Sequence, residues 1–330
     1  MTYSATGTIQ AADFNGFAND GANNVGNIWG VGSGDKGWGQ TAISNVVVSG
    51  TVTAATQWTS LIANLATGGS QTGTTMTSRT LPTQGATITA LAAVATDINS
   101  LTNNRGNAVA IGTEYGTFTG SVAKLTPTGS GQAAWTITFT QTVTFASANA
   151  ARYFFNAGGI VRLKYGKSSS STDIDPDWNA LATSCGVVNL TGRVNSNSQL
   201  IAGSTYTGTT NTGSTGTPTV ATTTGWWNLT GSLVTIFQQI GTGVYTGDYI
   251  RTQASTTSTV LTLVTTWVQP AVSGAGRTCN ISGGTDTTSP NITIVGTAPT
   301  VLCTYLPPST TYLSTASWGT PTIASSVAAS

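Results

Sequence analysis

The stretch Trp135-Thr-Ile-Thr-Phe-Thr-Gln-Thr-Val-Thr-Phe145 constrains the fold more than any other part of the sequence. Apolar or aromatic side chains recur at every second position except Gln141, and every intervening residue is threonine. Successive side chains of a strand point to opposite faces, so a period of two specifies a strand with one face in a core and one polar face. From about residue 107 the same period prevails. It predicts strands over 244–252 and over 257–268, where Val260, Leu261, Leu263, Val264 and Trp267 supply core, and a short one at Asn291-Ile-Thr-Ile-Val295. Tyr153-Phe-Phe-Asn-Ala-Gly-Gly-Ile-Val-Arg-Leu-Lys-Tyr165 reads as two strand segments hinged at Asn156 to Gly159. The residues after about 270 read as turns and short strands.

Helical spacing is confined to a few segments. Trp58, Leu61, Ile62 and Leu65 predict a helix over Thr53 to Ala66, with Gly68-Gly69 as its stop. Ile88, Leu91, Val94, Ile98 and Leu101 predict a second over 86–103. A short helix is expected from Asp175, with Asp175 as cap, Pro176 at the first helical position and Asp177 suited to the positive end of the dipole. Another is expected over Trp226 to Ile240, ending at Gly241. Trp58-Thr-Ser-Leu61 and Trp178-Asn-Ala-Leu181 echo one another but are too short to be a repeat. Residues 1–50 are rich in Gly and Asn and read as loop with aromatic anchors, followed by a strand candidate at Val46 to Val48; Gly203 to Thr224 reads as a loop or weak strand pair. The expected fold is mainly β with a few short helices (α+β). A loop-and-helix attachment region spans 1–128, and a β-sandwich-like domain with two short helices spans 129–330.

Composition supports this reading. Charged residues are 6% of the 330, against roughly a quarter in an ordinary soluble domain, and Thr, Ser, Asn, Gln and 40 Gly replace them. Disordered chains are typically rich in charge and proline; with 10 Pro and regular apolar spacing this chain is expected to fold. Net charge is +1, and the tightest basic cluster, Arg152, Arg162, Lys164 and Lys167, is too sparse for a phosphate backbone, so no nucleic-acid partner is expected. No apolar run approaches the ~18 residues of a membrane span, so no membrane insertion is expected. Met1-Thr-Tyr-Ser-Ala-Thr-Gly7 has no basic or apolar leader region, and the chain is expected to be made in a cytoplasm without export by the general route. Cys185, Cys279 and Cys303 are too scattered for a disulfide framework or a zinc site. Cys279 and Cys303 lie in neighbouring expected strands and could pair, but reduced, partly buried thiols are the expected state.

Residues that carry chemistry are scarce. With no histidine, the commonest general base and the Ser-His and Cys-His nucleophile systems are ruled out. Glycoside hydrolysis needs two placed carboxylates, and Glu114 is the only glutamate. The triplet Asp173-Ile-Asp-Pro-Asp177 with Asn179 imitates a calcium loop. However, Pro176 breaks it, Trp178 stands where glycine belongs and Ser184 where the bidentate glutamate belongs, so a capped helix start is the better reading. Gly32-Ser-Gly-Asp-Lys-Gly37 has dinucleotide spacing without a preceding strand or following helix. Gly166-Lys-Ser168 has Val161 where a phosphate loop needs its first glycine, and reads as a strand end. Asn280-Ile-Ser282 carries little weight as a glycosylation triplet without an export signal. Most of the nine tryptophans are expected in the core, although exposed ones could stack on sugars. No catalytic, cofactor-binding or metal-binding residue is assigned.

Tyr153-Phe-Phe-Asn-Ala-Gly-Gly159 is similar to a motif in a family of virion structural proteins of tailed bacteriophages, including phages of cyanobacteria. Asn27-Ile-Trp-Gly-Val-Gly-Ser-Gly-Asp-Lys-Gly-Trp-Gly-Gln40, the helix with Trp58 and Leu61, Trp178-Asn-Ala-Leu181, Trp226-Trp227 and Tyr249-Ile-Arg251 fit the same pattern in the same order. Ile160 departs from it, standing where a charged or polar residue commonly follows the glycines. The resemblance implies a non-enzymatic tail fibre, tail, neck or baseplate component of a virion. Its partners would be other virion proteins and copies of itself. The alternatives are a carbohydrate-binding or cleaving tailspike module that meets a host surface glycan, or a bacterial surface adhesin or surface-layer subunit.

Overall fold

The computed structural model describes residues 11–19, 23–43, 53–83, 91–108, 110, 113–121, 134–168, 175–192, 208–213, 218–241, 247–270, 279–281, 284–286, 298–314 and 316–330. Among the described residues, two large antiparallel sheets, a two-stranded ribbon and six α-helices form an α+β architecture with the β-sandwich as its main body. One sheet has five strands: β1 (Tyr115–Ser121), β3 (Ile160–Gly166), β4 (Val187–Thr191), β5 (Thr209–Asn211) and β12 (Thr300–Leu306), in the order β1-β12-β3-β4-β5. The other has six: β2 (Trp135–Thr144), β6 (Thr219–Val220), β7 (Val234–Ile240), β8 (Tyr249–Thr256), β9 (Val260–Gln269) and β13 (Thr322–Ala329), in the order β13-β2-β9-β8-β7-β6. A separate two-stranded ribbon joins β10 (Cys279–Ile281) to β11 (Gly284–Asp286).

The alternation that defined β2 is fulfilled. Trp135, Ile137, Phe139, Gln141 and Val143 are buried and the threonines between them lie on the more exposed face. β2 pairs residue for residue with β9, whose Leu261, Leu263, Thr265, Trp267 and Gln269 are also buried. On the facing sheet Val161, Leu163 and Tyr165 of β3 and Val301, Cys303 and Tyr305 of β12 point inward. Gln141 breaks the alternation for a reason: its Nε2 donates to the carbonyl of Val301, 2.9 Å away on the opposite sheet. A second polar link is the chain Tyr165 Oη, Thr252 Oγ1, Thr265 Oγ1, at 2.8 and 2.9 Å, in the middle of the core.

Helices α1 (Ala11–Ala18), α2 (Val25–Trp29), α3 (Ala55–Thr72) and α4 (Leu91–Asn104) pack together around Phe14, Phe17, Trp58, Leu65, Ile98 and Leu101. That core is continuous with the core of the sandwich. The expected boundary between 128 and 129 lies outside the described residues, and β1, N-terminal to it, pairs with β12. Helix α6 (Asp175–Cys185) begins one residue earlier than expected, with Asp175 as its first residue and Pro176 its second, and inserts Trp178 between Trp135 and Trp267, with ring centroids 4.9 and 5.5 Å away.

Several expectations need correction. The Gly- and Asn-rich start is not all loop: Phe14, Phe17 and Ala18 bury one face of α1, and Val25, Ile28 and Trp29 bury α2. Gly68-Gly69 does not stop α3, which runs to Thr72 and ends on Gly73 with φ +63°. A Cβ on Gly68 would come within 3.0 Å of Leu101, so this glycine permits close helix packing. Tyr153 to Asn156 is no strand but the last turn of helix α5 (Ala148–Asn156). Trp226 to Ile240 is no helix: a single 3-10 turn, Trp226–Asn228, precedes β7. The C-terminal part holds longer strands than expected, of seven residues in β12 and eight in β13. The strand candidates at Val46 to Val48 and Asn291 to Val295 lie outside the described residues.

Candidate functional site

Two of the segments that carried the family resemblance, Asn27 to Gln40 and Tyr153 to Gly159, meet in space. Helix α5 connects β2 of one sheet to β3 of the other and packs Phe154 and Phe155 around Phe145, with centroids at 5.3 and 5.8 Å. It forms because Ser147, extended and at the N-cap, accepts the N–H of Ala150 at 3.0 Å, and Ala148, Ala150 and Ala151 occupy three of the four positions of its first turn. Its far end grips the glycine-rich loop after α2. Asn156 Nδ2 donates to the carbonyl of Lys36 at 2.7 Å, with the carbonyls of Gly34 and Gly37 at 3.2 Å. Arg152 donates to the carbonyls of Lys36 and Val31, both at 2.7 Å, and its guanidinium lies 4.7 Å from the centre of the Tyr153 ring.

The grip is returned from the N-terminal side. Trp38 Nε1 donates to the carbonyl of Asn156 at 3.1 Å, and Gln71 Nε2 to that of Ala157 at 3.0 Å. Gly39, at φ +67°, could carry no side chain: a Cβ there would lie 2.5 Å from the Tyr153 ring. The turn out of α5 needs its glycines for two separate reasons. Gly158 has φ +106°, a conformation L side chains rarely adopt. A Cβ on Gly159 would lie 2.5 Å from the Phe154 ring. The turn expected at these glycines is therefore present, but it joins a helix to a strand.

The basic residues do not form a patch. Arg152 is held by the loop, while Arg162 and Lys164 project from the outer face of the five-stranded sheet onto Glu114. Glu114 Oε1 accepts from Arg162 Nη1 at 2.5 Å and from Lys164 Nζ at 2.8 Å, and Oε2 accepts from Thr304 Oγ1 at 3.2 Å. Arg162 Nε also donates to Asn189 Oδ1 at 2.9 Å. The Lys164 ammonium above all, with Arg162 beside it, holds the Glu114 carboxyl below its ordinary range against the opposing effect of partial burial. Lys167 is buried at the end of β3, where Gly166 closes the strand as expected.

The chemistry-like motifs are absorbed into the fold. Gly32 to Gly37 form the turn that α5 grips, with a five-residue helix before it. Asp175 opens α6, burial raises the pKa of Asp177, and Asp173 and the side chain of Asp175 lie outside the described residues. No group of three His, Cys, Asp or Glu residues that could hold a metal ion occurs among the described residues. Cys185 and Cys303 are free, buried thiols, so Cys303 is not paired with Cys279, and burial pushes the Cys303 thiol up to about 12. Seven of the nine tryptophans are buried, and Trp226 and Trp227 are half-buried, with Trp226 stacked on Phe155 at 5.2 Å. Sequence reasoning missed Gln71 and Ser147 as parts of the junction. An N-cap serine three residues before an alanine pair was a usable signal for Ser147, whereas nothing local marks Gln71. No described helix is long and apolar enough to cross a membrane. No family model, curated protein or solved structure matches the chain.

Proposed function

We propose that the protein is a non-enzymatic structural component of a tailed-phage virion, a tail fibre, tail or baseplate element that works by assembling with copies of itself and with other virion proteins. The observation that carries this reading is the junction at α5. The two most distinctive segments of the sequence, Asn27 to Gln40 and Tyr153 to Gly159, serve to lock each other in place through the Arg152, Asn156 and Trp38 hydrogen bonds. Their conspicuous side chains are therefore accounted for by architecture. The same holds for Glu114, Arg162 and Lys164, which are engaged with one another. A rigid, weakly charged β body suits permanent contacts, whose centres are depleted in charged residues.

Density-gradient-banded phage particles, digested and analysed by mass spectrometry, test the assignment. Peptides of this chain at a stoichiometric level in intact particles are expected. Their absence from washed particles, or release of reducing ends from host polysaccharide that is abolished by Asp177→Asn, would overturn it.

A further inference from the structure

A long, regular strand edge is a template for pairing, and proteins blunt such edges by short length, bulges, proline or charge. Among the described residues three of the four sheet edges are blunted. β5 has three residues, β6 has two, and the register of β1 shifts between Tyr115 and Phe118. β13 is the exception. Its eight residues, Thr-Ile-Ala-Ser-Ser-Val-Ala-Ala, pair with β2 without a break and include no charge, proline or glycine. No described strand hydrogen-bonds to its other edge. β1 comes near it where Gly116 meets the Ile323 side chain, but β1 belongs to the other sheet.

The direction of the backbone groups follows from the register. Ser330 and Thr136 exchange two hydrogen bonds, at 2.8 and 2.9 Å. Alternation along an antiparallel pair then directs the N–H and C=O of Thr322, Ala324, Ser326 and Ala328 toward β2. Those of Ile323, Ser325, Val327 and Ala329 point away from it. The side chains on the outer face, Thr322, Ala324, Ser326 and Ala328, are small and exposed.

We infer that β13 is a self-association edge, pairing antiparallel with β13 of a second copy about a two-fold axis at Ser326. With the axis there, Ile323 faces Ala329 of the second copy and Ser325 faces Val327, so every outward-pointing residue finds a partner. A second copy is the occupant because the strand is complementary to itself: the pairing places no like charges opposite one another, and an isologous contact needs only one surface. This deepens the proposed function and rests on its claim that the chain assembles with copies of itself. An eight-residue strand pair buries less than the ~1,200–2,000 Å² of a standard interface. A lone dimer is therefore weak, and the contact gains strength when copies are held together by other components.

Cross-linking tests the axis directly, because it traps weak dimers. Ser326 stands opposite its own copy at a non-hydrogen-bonded position, where Cα atoms are ~4.5 Å apart. Under mild oxidation Ser326→Cys is expected to yield disulfide-linked dimer well above the level of the parent chain. Ala324→Cys, with its two copies ~13 Å apart in this register, is not. Ser326→Lys opposes two cations at the axis and should shift the parent chain toward monomer in sedimentation, with its thermal midpoint unchanged. Equal cross-linking of the two cysteine variants, or an oligomer untouched by Ser326→Lys, overturns the edge pairing. If the parent chain is still an oligomer in that case, the assembly reading survives and a different surface serves it; if the parent chain is monomeric at every concentration, self-assembly falls as well.

Discussion

Asn156 shows how one side chain can carry a junction. It is buried, and its Nδ2 faces the carbonyls of Gly34, Lys36 and Gly37. That arrangement fixes the amide orientation, since the reverse would set Oδ1 against three carbonyl oxygens. Asn156→Ala leaves those carbonyls short of a donor and should destabilise the chain by about 1–3 kcal/mol. Asn156→Asp should cost more, because a carboxylate has no hydrogen to give; chemical denaturation of the three proteins checks the order. Glu114 gives a pH signature at the same scale. Its folded pKa lies below the unfolded one, chiefly through Lys164 and then Arg162. Its contribution is therefore complete above the ordinary carboxylate range and is lost as pH falls through the folded value. Between neutral pH and about pH 3 the stability advantage of the parent chain over Glu114→Gln should shrink. A constant difference in denaturation midpoint over that range would contradict this account of the cluster.

Among the elements, what could be read from sequence depended on whether one period fitted better than the other. β2 and β9 were legible because threonine occupies one face so regularly, and α3 because Trp58, Leu61, Ile62 and Leu65 fit no strand. Tyr153, Phe154 and Phe155 form an unbroken apolar run, which fits either period; the Ser147 cap decides for helix, and the rings fan out, Tyr153 onto Gly39, Phe154 against Tyr305 and Phe155 onto Trp226. In Trp226 to Ile240 the apolar residues satisfy both periods. Gly231-Ser232 interrupts a helix there, and Val234, Thr235 and Ile236 are β-branched, which favours the observed strand. The junction was legible only as two separate motifs. Their contact spans more than a hundred residues and depends on backbone carbonyls, which no residue type announces. The polar chain through Thr252 links the two sheets and can be tested as a unit. Thr252→Val keeps the shape but strands the buried Tyr165 hydroxyl and Thr265, at a cost of about 1–3 kcal/mol. Combining it with Tyr165→Phe and Thr265→Val removes all three polar groups and should recover part of the loss in thermal midpoint.

At the scale of the whole molecule, one continuous core joins the four N-terminal helices to the sandwich, and charge has little part in it. The Arg79–Asp97 and Arg105–Asp35 pairs are largely shielded from solvent. Raising salt from about 0.1 M to 1 M shortens the Debye length from ~10 Å to ~3 Å and weakens mainly exposed pairs. Both the fold and any assembly of copies should therefore persist on the order of 1 M sodium chloride, where exposed pairs contribute nearly nothing. Light scattering across a salt series checks this, and dissociation at high salt would show that a few charges dominate. The insertion of Trp178 between Trp135 and Trp267 has an optical consequence. Three indoles with centroids 4.9 and 5.5 Å apart bring their transition dipoles close enough to couple. The folded sandwich should therefore show an exciton couplet in circular dichroism. Trp58, among the helices, makes its aromatic contacts with Phe14 and Phe17 instead. Trp29 with Trp38 and Trp226 with Trp227, at 6.4 and 4.7 Å, couple as well, so the part of the couplet that Trp178→Phe removes is the part that times the parting of α6 from the sheets.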